Sequence, residues 1–499
     1  MSLKKQLFAK KSLKVLLAEM AGEHRLRRAL GPVTLTALGI GAVIGAGIFV
    51  ATGAAAKTVA GPALMLSYVT AGVTCIFAAL CYAEFASMAP VAGSAYTYAY
   101  TTLGELFAWI IGWDLVLEYA VGAATVANGW SGYFQSVLAK FKIAFPTALQ
   151  SAPLVYKDGE FIRTEAILNL PAVLIVAVVT AILVKGIQES ANFNALMVFI
   201  KVAAVLFVIL VGAFYVNPAN WDPFAPYGWT GVSFFGHPLL GEPSENGEPR
   251  GMLAGAAIIF FAYIGFDSVS THAEEAKNPQ RDVPIGIIAS LIICTVLYIA
   301  VVAVLTGMVK YHDLNKDAGV SAAFHDAGLP AAEFIVAAAG VAGITSVLLV
   351  MMLSAPRVFL AMARDGLIPS SFFADVHPRF QTPWKSTILI GIFVAVLAGL
   401  LPIDALLHLT NIGTMFAFVI VCAAVLIMRR IDPDLPRPFR CPFVPVVPIL
   451  GMATCLLLML SLPAANWWRL FAWLGLGLCI YFTYGRHHST LGKELRGEL

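Results

Sequence analysis

Apolar runs of about 20 residues recur along the chain, separated by short polar stretches, and that length is what a helix needs to cross a hydrocarbon core. The runs lie near 33–57, 62–88, 96–127, 166–184, 191–215, 252–272, 285–308, 331–356, 386–400, 404–428, 446–462 and 467–484. They predict an all-α membrane protein of about twelve transmembrane helices. The connections 128–165 and 217–250 are polar, and both are expected on the outer side. The part from 236 to 250 is rich in Gly, Pro and Glu and is expected to be irregular surface loop.

The first run does not read as an ordinary helix. It carries Gly39, Gly41, Gly45 and Gly47, and a glycine inside a helix costs about 1 kcal/mol against alanine. Backbone left unpaired in hydrocarbon is tolerated only where it faces protein or a wet cavity. A break here would free N–H donors near Ala46 and Gly47, at the positive end of the outer half-helix. It would free carbonyls near Ile40 and Val43. A carboxylate suits the first set, an ammonium suits the second, and a zwitterion carries both. The other reading is that these glycines only let helices pack closely.

The sixth run repeats the anomaly, because Phe260-Phe261-Ala262-Tyr263-Ile264-Gly265-Phe266-Asp267 interrupts it with a glycine and an acid. The first and sixth spans hold corresponding places in two five-span halves. An odd number of spans per half makes the halves opposite in orientation, which is the inverted-repeat pattern of secondary transporters. The expected division is a tail at 1–32, a first repeat at 33–215, an external loop at 216–250 and an inverted repeat at 251–428. A Pro-rich loop at 429–445, two further helices at 446–484 and a tail at 485–499 complete it.

Composition agrees with this and excludes other classes. Hydrophobic residues make up 59% and charged ones 12% of the 499 residues, more apolar than a soluble core requires. The net charge of +3 is too small to argue for nucleic acid. The seven cysteines form no CxxC pair and lie mostly within apolar runs, so neither a disulfide frame nor a metal site is expected. No HExxH or GxSxG occurs, and neither an enzyme nor a cofactor is expected. The basic N-terminus (Lys4, Lys5, Lys10, Lys11, Lys14, Arg25, Arg27, Arg28) reads as a cytoplasmic tail rather than a signal peptide. An even number of spans then puts both termini inside.

Seven stretches carry a resemblance: GIGAVIGAGIF at 39–49, CYAEFASMAPVAGSAYTYAY at 81–100, GWDLVLEY at 112–119, FFAYIGFDSVSTHAEEAKNPQRDVPIGI at 260–287, PRVFLAMARDGLIP at 356–369, LTNIGT at 409–414 and PFRCPFVPVVP at 438–448. In order and over nearly the whole length, the chain resembles the amino acid–polyamine–organocation superfamily, in particular bacterial members of its cationic amino acid transporter family. The resemblance implies a LeuT-type fold, two inverted five-helix repeats with discontinuous helices 1 and 6, plus two more helices. It implies secondary uptake of L-amino acids across the cytoplasmic membrane, often coupled to protons, with membrane lipid as surroundings. An exchanger or a non-transporting amino acid sensor is the alternative. Two departures stand out: Ala46 replaces a frequent threonine, and the loop near 236–250 is longer than in many relatives.

The motif positions assign the substrate carboxylate to the backbone of Gly45, Ala46 and Gly47. They assign its ammonium to carbonyls at Ile40 or Val43 and at Phe261, Ala262 or Ile264. Phe261, Ile264, Asp267 and Met351 are the expected pocket walls. Met351 equally suits core filling, and Asp267 equally suits capping the broken helix or facing the inner vestibule. Lys201 stands within the fifth span, where a cation is costly and functional by default. In sodium-coupled members of the wider fold an ion lies between spans one, five and eight, and the Lys201 ammonium is expected there, exchanging a proton. Its other reading is snorkelling to the interface. Asp114 and Glu118, four apart on one helix face, resist ionising together. The resemblance points to Glu118 as a proton carrier. Glu274, Arg281, Arg357 and Asp365 are read as an inner gate or as solvated rim charges.

Overall fold

The computed structural model describes residues 3–12, 28–89, 93–157, 160–234, 237–241, 249–314 and 319–498. Lys14, Arg25 and Arg27 of the basic tail, residues 90–92 of the second motif and 242–248 of the long loop lie outside the described residues.

Seven helices have the length and apolarity to cross a membrane, three shorter ones are similarly apolar, and a further pair, Val446–Leu460 and Ala464–His488, meets at 112°. One of the seven, Thr52–Met88, has 37 residues, roughly 55 Å of helix and too long for a single crossing. It divides at Gly61, whose φ of 62° suits glycine, and at Pro62. The part before Gly61 completes the first span, and Leu64–Met88 is the second. With this division every expected span has a helical counterpart, in the twelve-helix LeuT-type arrangement with discontinuous helices 1 and 6.

The boundaries need three corrections. The expected third span, 96–127, is two helices, Ala95–Thr102 and Glu105–Lys140. Gly104 separates them with φ 108°, and a Cβ there would lie 2.7 Å from the Phe8 backbone, so the N-terminal segment packs into the notch. The eighth span does not stop at Pro356 but runs through it as Pro330–Arg364. The two long connections each contain a hairpin: Leu154–Lys157 pairs with Glu160–Arg163, and Val232–Phe234 pairs with His237–Leu240, the latter reaching into the stretch from 236 that was expected to be irregular loop.

Both chain ends meet on one face. The Gln6 side-chain amide donates to the Arg486 carbonyl at 2.7 Å. The Glu105 carboxylate accepts from Tyr481 at 2.7 Å, from Tyr100 at 3.0 Å and from Ser489. Lys11 pairs with Asp365, which also accepts from the Tyr96 hydroxyl at 2.5 Å.

At the same face Glu84, fully buried at the end of the second span, takes two hydrogen bonds from Arg429, at 2.7 and 3.1 Å. It takes a third from the Cys441 N–H at 2.7 Å, and the Arg437 guanidinium lies 3.2 Å away. Removing one member of such a buried group leaves charge uncompensated, at about 3–5 kcal/mol. Glu84→Ala is therefore expected to lower the melting temperature in detergent by many degrees. Lys385→Ala, which removes only a half-exposed pair with Asp375, should change it little. Equal shifts in the two variants would contradict this assignment.

Candidate functional site

The helix Pro32–Val43 ends at Ile44, whose backbone is extended (φ −75°, ψ 107°) and whose N–H donates back to Ile40 O at 3.0 Å. The chain then re-enters a wide helical turn at Gly47–Ala51, where the N–H groups of Ile48 and Phe49 both donate to Gly45 O at 3.1 Å. The N–H groups of Gly45, Ala46 and Gly47 stand ahead of that first turn, with no acceptor inside the second half of the span.

Each of the four glycines faces a different helix. A Cβ at Gly39 would lie 2.4 Å from Ser290 Oγ, and one at Gly41 would lie 2.5 Å from Asn194 Oδ1. At Gly45 it would lie 2.3 Å from Val347 Cγ2, and at Gly47 2.3 Å from Ala262 Cα. Close packing and chain breakage, set out above as alternatives, therefore coexist in this run. Met351, buried, follows Val347 by one turn and shares its helix face.

The sixth span breaks at the matching place. Met252–Ile259 tightens into Phe260–Tyr263, the N–H of Ile264 donates to Phe261 O at 3.3 Å, and Gly265 follows at φ 118°. A side chain is strained there, and a Cβ would also lie 3.0 Å from Ala42 O. Asp267 closes the break. Its Oδ1 accepts the Gly265 N–H at 3.2 Å and its Oδ2 accepts the Tyr119 hydroxyl at 2.5 Å. Its fully buried carboxylate thus binds the break itself.

Side chains from other helices satisfy the freed carbonyls. Lys201 is fully buried, and its ammonium donates to Gly41 O at 2.9 Å, Ile44 O at 2.7 Å and Ser346 Oγ at 2.6 Å. It lies between spans one, five and eight and does not snorkel. The Tyr298 hydroxyl, on the seventh span, lies 2.6 Å from Val43 O and 3.0 Å from Ala262 O. One hydroxyl hydrogen thus serves carbonyls from both breaks. Tyr68 donates to Gly47 O at 3.3 Å and Tyr133 to Phe49 O at 2.8 Å. The Asn411 amide donates to Ala257 O and Ile258 O at 3.3 and 3.2 Å, just ahead of the second break.

Glu118 is buried beside Asp114, Asp267 and the Thr414 hydroxyl. Asp114 lies over Gly413, its Oδ1 2.6 Å from where a Cβ would stand. On the chain-end face Arg357 makes two hydrogen bonds to Glu275, at 2.7 and 2.9 Å, and Arg364 pairs with Glu274 at 2.9 Å. Of the four residues expected at a gate, Glu274, Arg357 and Asp365 are each paired, though not with one another. Arg281 lies apart on the flank of the seventh span.

The model of the amino acid permease family matches residues 30–481. The chain belongs to the amino acid permease family, within the amino acid–polyamine–organocation superfamily. It is similar to the branched-chain amino acid permease BcaP of Bacillus subtilis (strain 168), 47% identical over 98% of this chain and 100% of that one. It is also similar to the methylthioribose transporter of the same organism, 46% identical over 98% of this chain and 99% of that one. The cationic amino acid transporter 4, vacuolar, of Arabidopsis thaliana is 38% identical over 83% of this chain and 65% of that one. The permease is a multi-pass membrane transporter.

Sequence reasoning found both breaks and Lys201 but missed Tyr298, Ser346, Tyr119 and Asn411. Tyr298 had a usable signal, a phenolic hydroxyl inside the apolar run LIICTVLYIAVV at 291–302. Tyr298→Phe leaves two buried carbonyls without that donor, at about 1–3 kcal/mol. The ligand-free permease carrying it is expected to melt several degrees lower. An unchanged melting temperature would show that the hydroxyl does not tie the breaks together.

Proposed function

We propose that this permease imports L-amino acids across a bacterial cytoplasmic membrane by proton symport and alternating access, with both termini in the cytoplasm. The substrate carboxylate sits on the N–H groups of Gly45, Ala46 and Gly47. Its ammonium faces the carbonyls of Val43 and Ala262, where the Tyr298 hydroxyl now rests. Ile40, Phe261 and Ile264 complete the main-chain surround, and Phe261 and Met351 meet the substrate side chain.

The observation that carries proton coupling is the set of partners around Lys201. An ammonium has three N–H donors and no lone pair, and three acceptors surround it. Removing a proton leaves one acceptor without a donor and turns a lone pair toward the others. The tie of the first span's first half to spans five and eight is then weakened, though Ser346 and Asn194 still donate to Gly41 O and Ala37 O. Proton binding and release thereby become a switch on the helix whose break holds the substrate. Glu118, beside Asp267, supplies a second proton position close to the other break. The pairs Glu275–Arg357, Glu274–Arg364 and Lys11–Asp365 form the inner gate, and they open as the halves rock.

In proteoliposomes, Lys201→Ala is expected to reduce uptake driven by an inward proton gradient about tenfold, the equivalent of ~1.4 kcal/mol. Substrate-induced thermal stabilisation should change less. Full retention of the gradient response would overturn the coupling role, and counterflow without pH dependence in the unmutated permease would favour exchange. Glu118→Gln should impair accumulation more than binding, whereas equal loss of both would make it structural.

A second reading comes from the relative named for methylthioribose, a sugar with neither carboxylate nor ammonium. A thermal-shift panel separates the two. Stabilisation by branched-chain or other L-amino acids supports the zwitterion reading, and stabilisation by methylthioribose alone overturns it.

A further inference from the structure

A groove of about 620 Å³ lies on the outer flank of the molecule, away from both helix breaks. That volume falls within the roughly 300–1,000 Å³ of ligand clefts. One wall is the start of the seventh span, with Ile285, Ile288 and Ile292, and the other is Pro438 with Phe439 from the Pro-rich loop. Ile285 and Ile292 are exposed, at 41% and 48%, so the wall is open from the side. The loop wall is held in place, because the Phe439 N–H donates to Ser87 Oγ at 3.2 Å.

Arg281 stands at the end of this groove nearest the chain-end face, and it is exposed. The nearby acids are engaged elsewhere. Glu274 pairs with Arg364, Glu275 with Arg357, and Asp282 accepts the Asn278 N–H. Among the described residues Arg281 is left without an ion pair. From Arg281 to Ile292 the helix rises about 16 Å, close to the ~15 Å of hydrocarbon in one leaflet. The groove therefore runs from a cationic rim into an apolar slot one acyl chain deep.

We propose that this groove binds one anionic phospholipid of the leaflet on the chain-end side, its phosphate on the Arg281 guanidinium and one acyl chain along Ile285, Ile288 and Ile292. A guanidinium matches phosphate geometry with paired N–H donors. A soluble anion would leave the apolar wall unused, and in a zwitterionic lipid the choline cation next to the phosphate would repel the guanidinium and offset the attraction. The bound lipid would join the span that follows the second helix break to the Pro-rich loop pinned on the second span.

The test is native mass spectrometry of the full-length permease from nanodiscs of equal phosphatidylglycerol and phosphatidylcholine. The unmutated protein is expected to retain phosphatidylglycerol preferentially. Arg281→Gln should reduce that preference about fivefold, as expected for one basic residue at a membrane surface. Lys277→Gln, an exposed cation outside the groove, should leave it unchanged. Ile288→Trp, which fills the slot, should remove retention of both lipids at this position. Equal retention of the two lipids by the unmutated protein, or an unchanged preference in Arg281→Gln, would overturn the proposal. Displacement of the lipid by soluble glycerol phosphate would overturn it too, because the site would then be one for a free anion.

Discussion

Main-chain polarity exposed by the two broken spans is the constraint on which the rest of the structure depends. In hydrocarbon each unpaired N–H or C=O is costly. The chain therefore surrounds its breaks with donors from other helices. Gly41 O and Ile44 O receive Lys201, Val43 O and Ala262 O share Tyr298, and Gly47 O and Phe49 O receive Tyr68 and Tyr133. These donors come from spans five, seven, two and three. Carbonyls are thus met by side chains. The N–H groups of Gly45, Ala46 and Gly47 have no acceptor within their own half-helix, and the carboxylate of the proposed substrate answers that asymmetry.

Glycine permits close approach in this arrangement. At Gly45 and Gly47 the missing side chain lets the broken segment approach Val347 and Ala262. The contact at Gly47 brings the first break against the second, and the one at Gly45 seats it on the eighth span. A helix of alanines would keep the spans apart, and no single hydroxyl could then reach both Val43 O and Ala262 O. The short distance between the breaks thus follows from packing, and the bridging chemistry follows from that distance.

Much of this was legible in the sequence, for identifiable reasons. Span positions depend on runs of apolar residues, and the breaks on glycines placed where helix propensity forbids them. Lys201 stood out because its charge contradicts its surroundings. The misplaced boundaries are those set by tertiary contacts. Gly104 divides a helix because Phe8 packs into it, from nearly a hundred residues away. Pro356 does not stop the eighth helix, which runs through it to Arg364 with Ala355, Pro356 and Arg357 all buried. Tyr298 and Ser346 were missed for the same reason, since a hydroxyl in an apolar run has no partner until the fold brings a free carbonyl to it.

Ion pairs in this molecule differ widely in how far they are held from solvent. On the chain-end face Arg357 and Glu275 are almost fully excluded from solvent, whereas on the opposite face Lys140 and Glu333 are 42% and 18% exposed. A buried pair costs several kcal/mol to dehydrate, which its mutual attraction only about offsets. Separating the two partners into water returns that hydration. Replacing one partner by an apolar residue returns nothing, because the other stays buried and unpaired. A charged closure can therefore open at small net cost where a closure of packed leucines would expose apolar surface. On the function proposed above, in which this face closes and then admits water, buried ion pairs beside Pro356 and the second break are the less costly material.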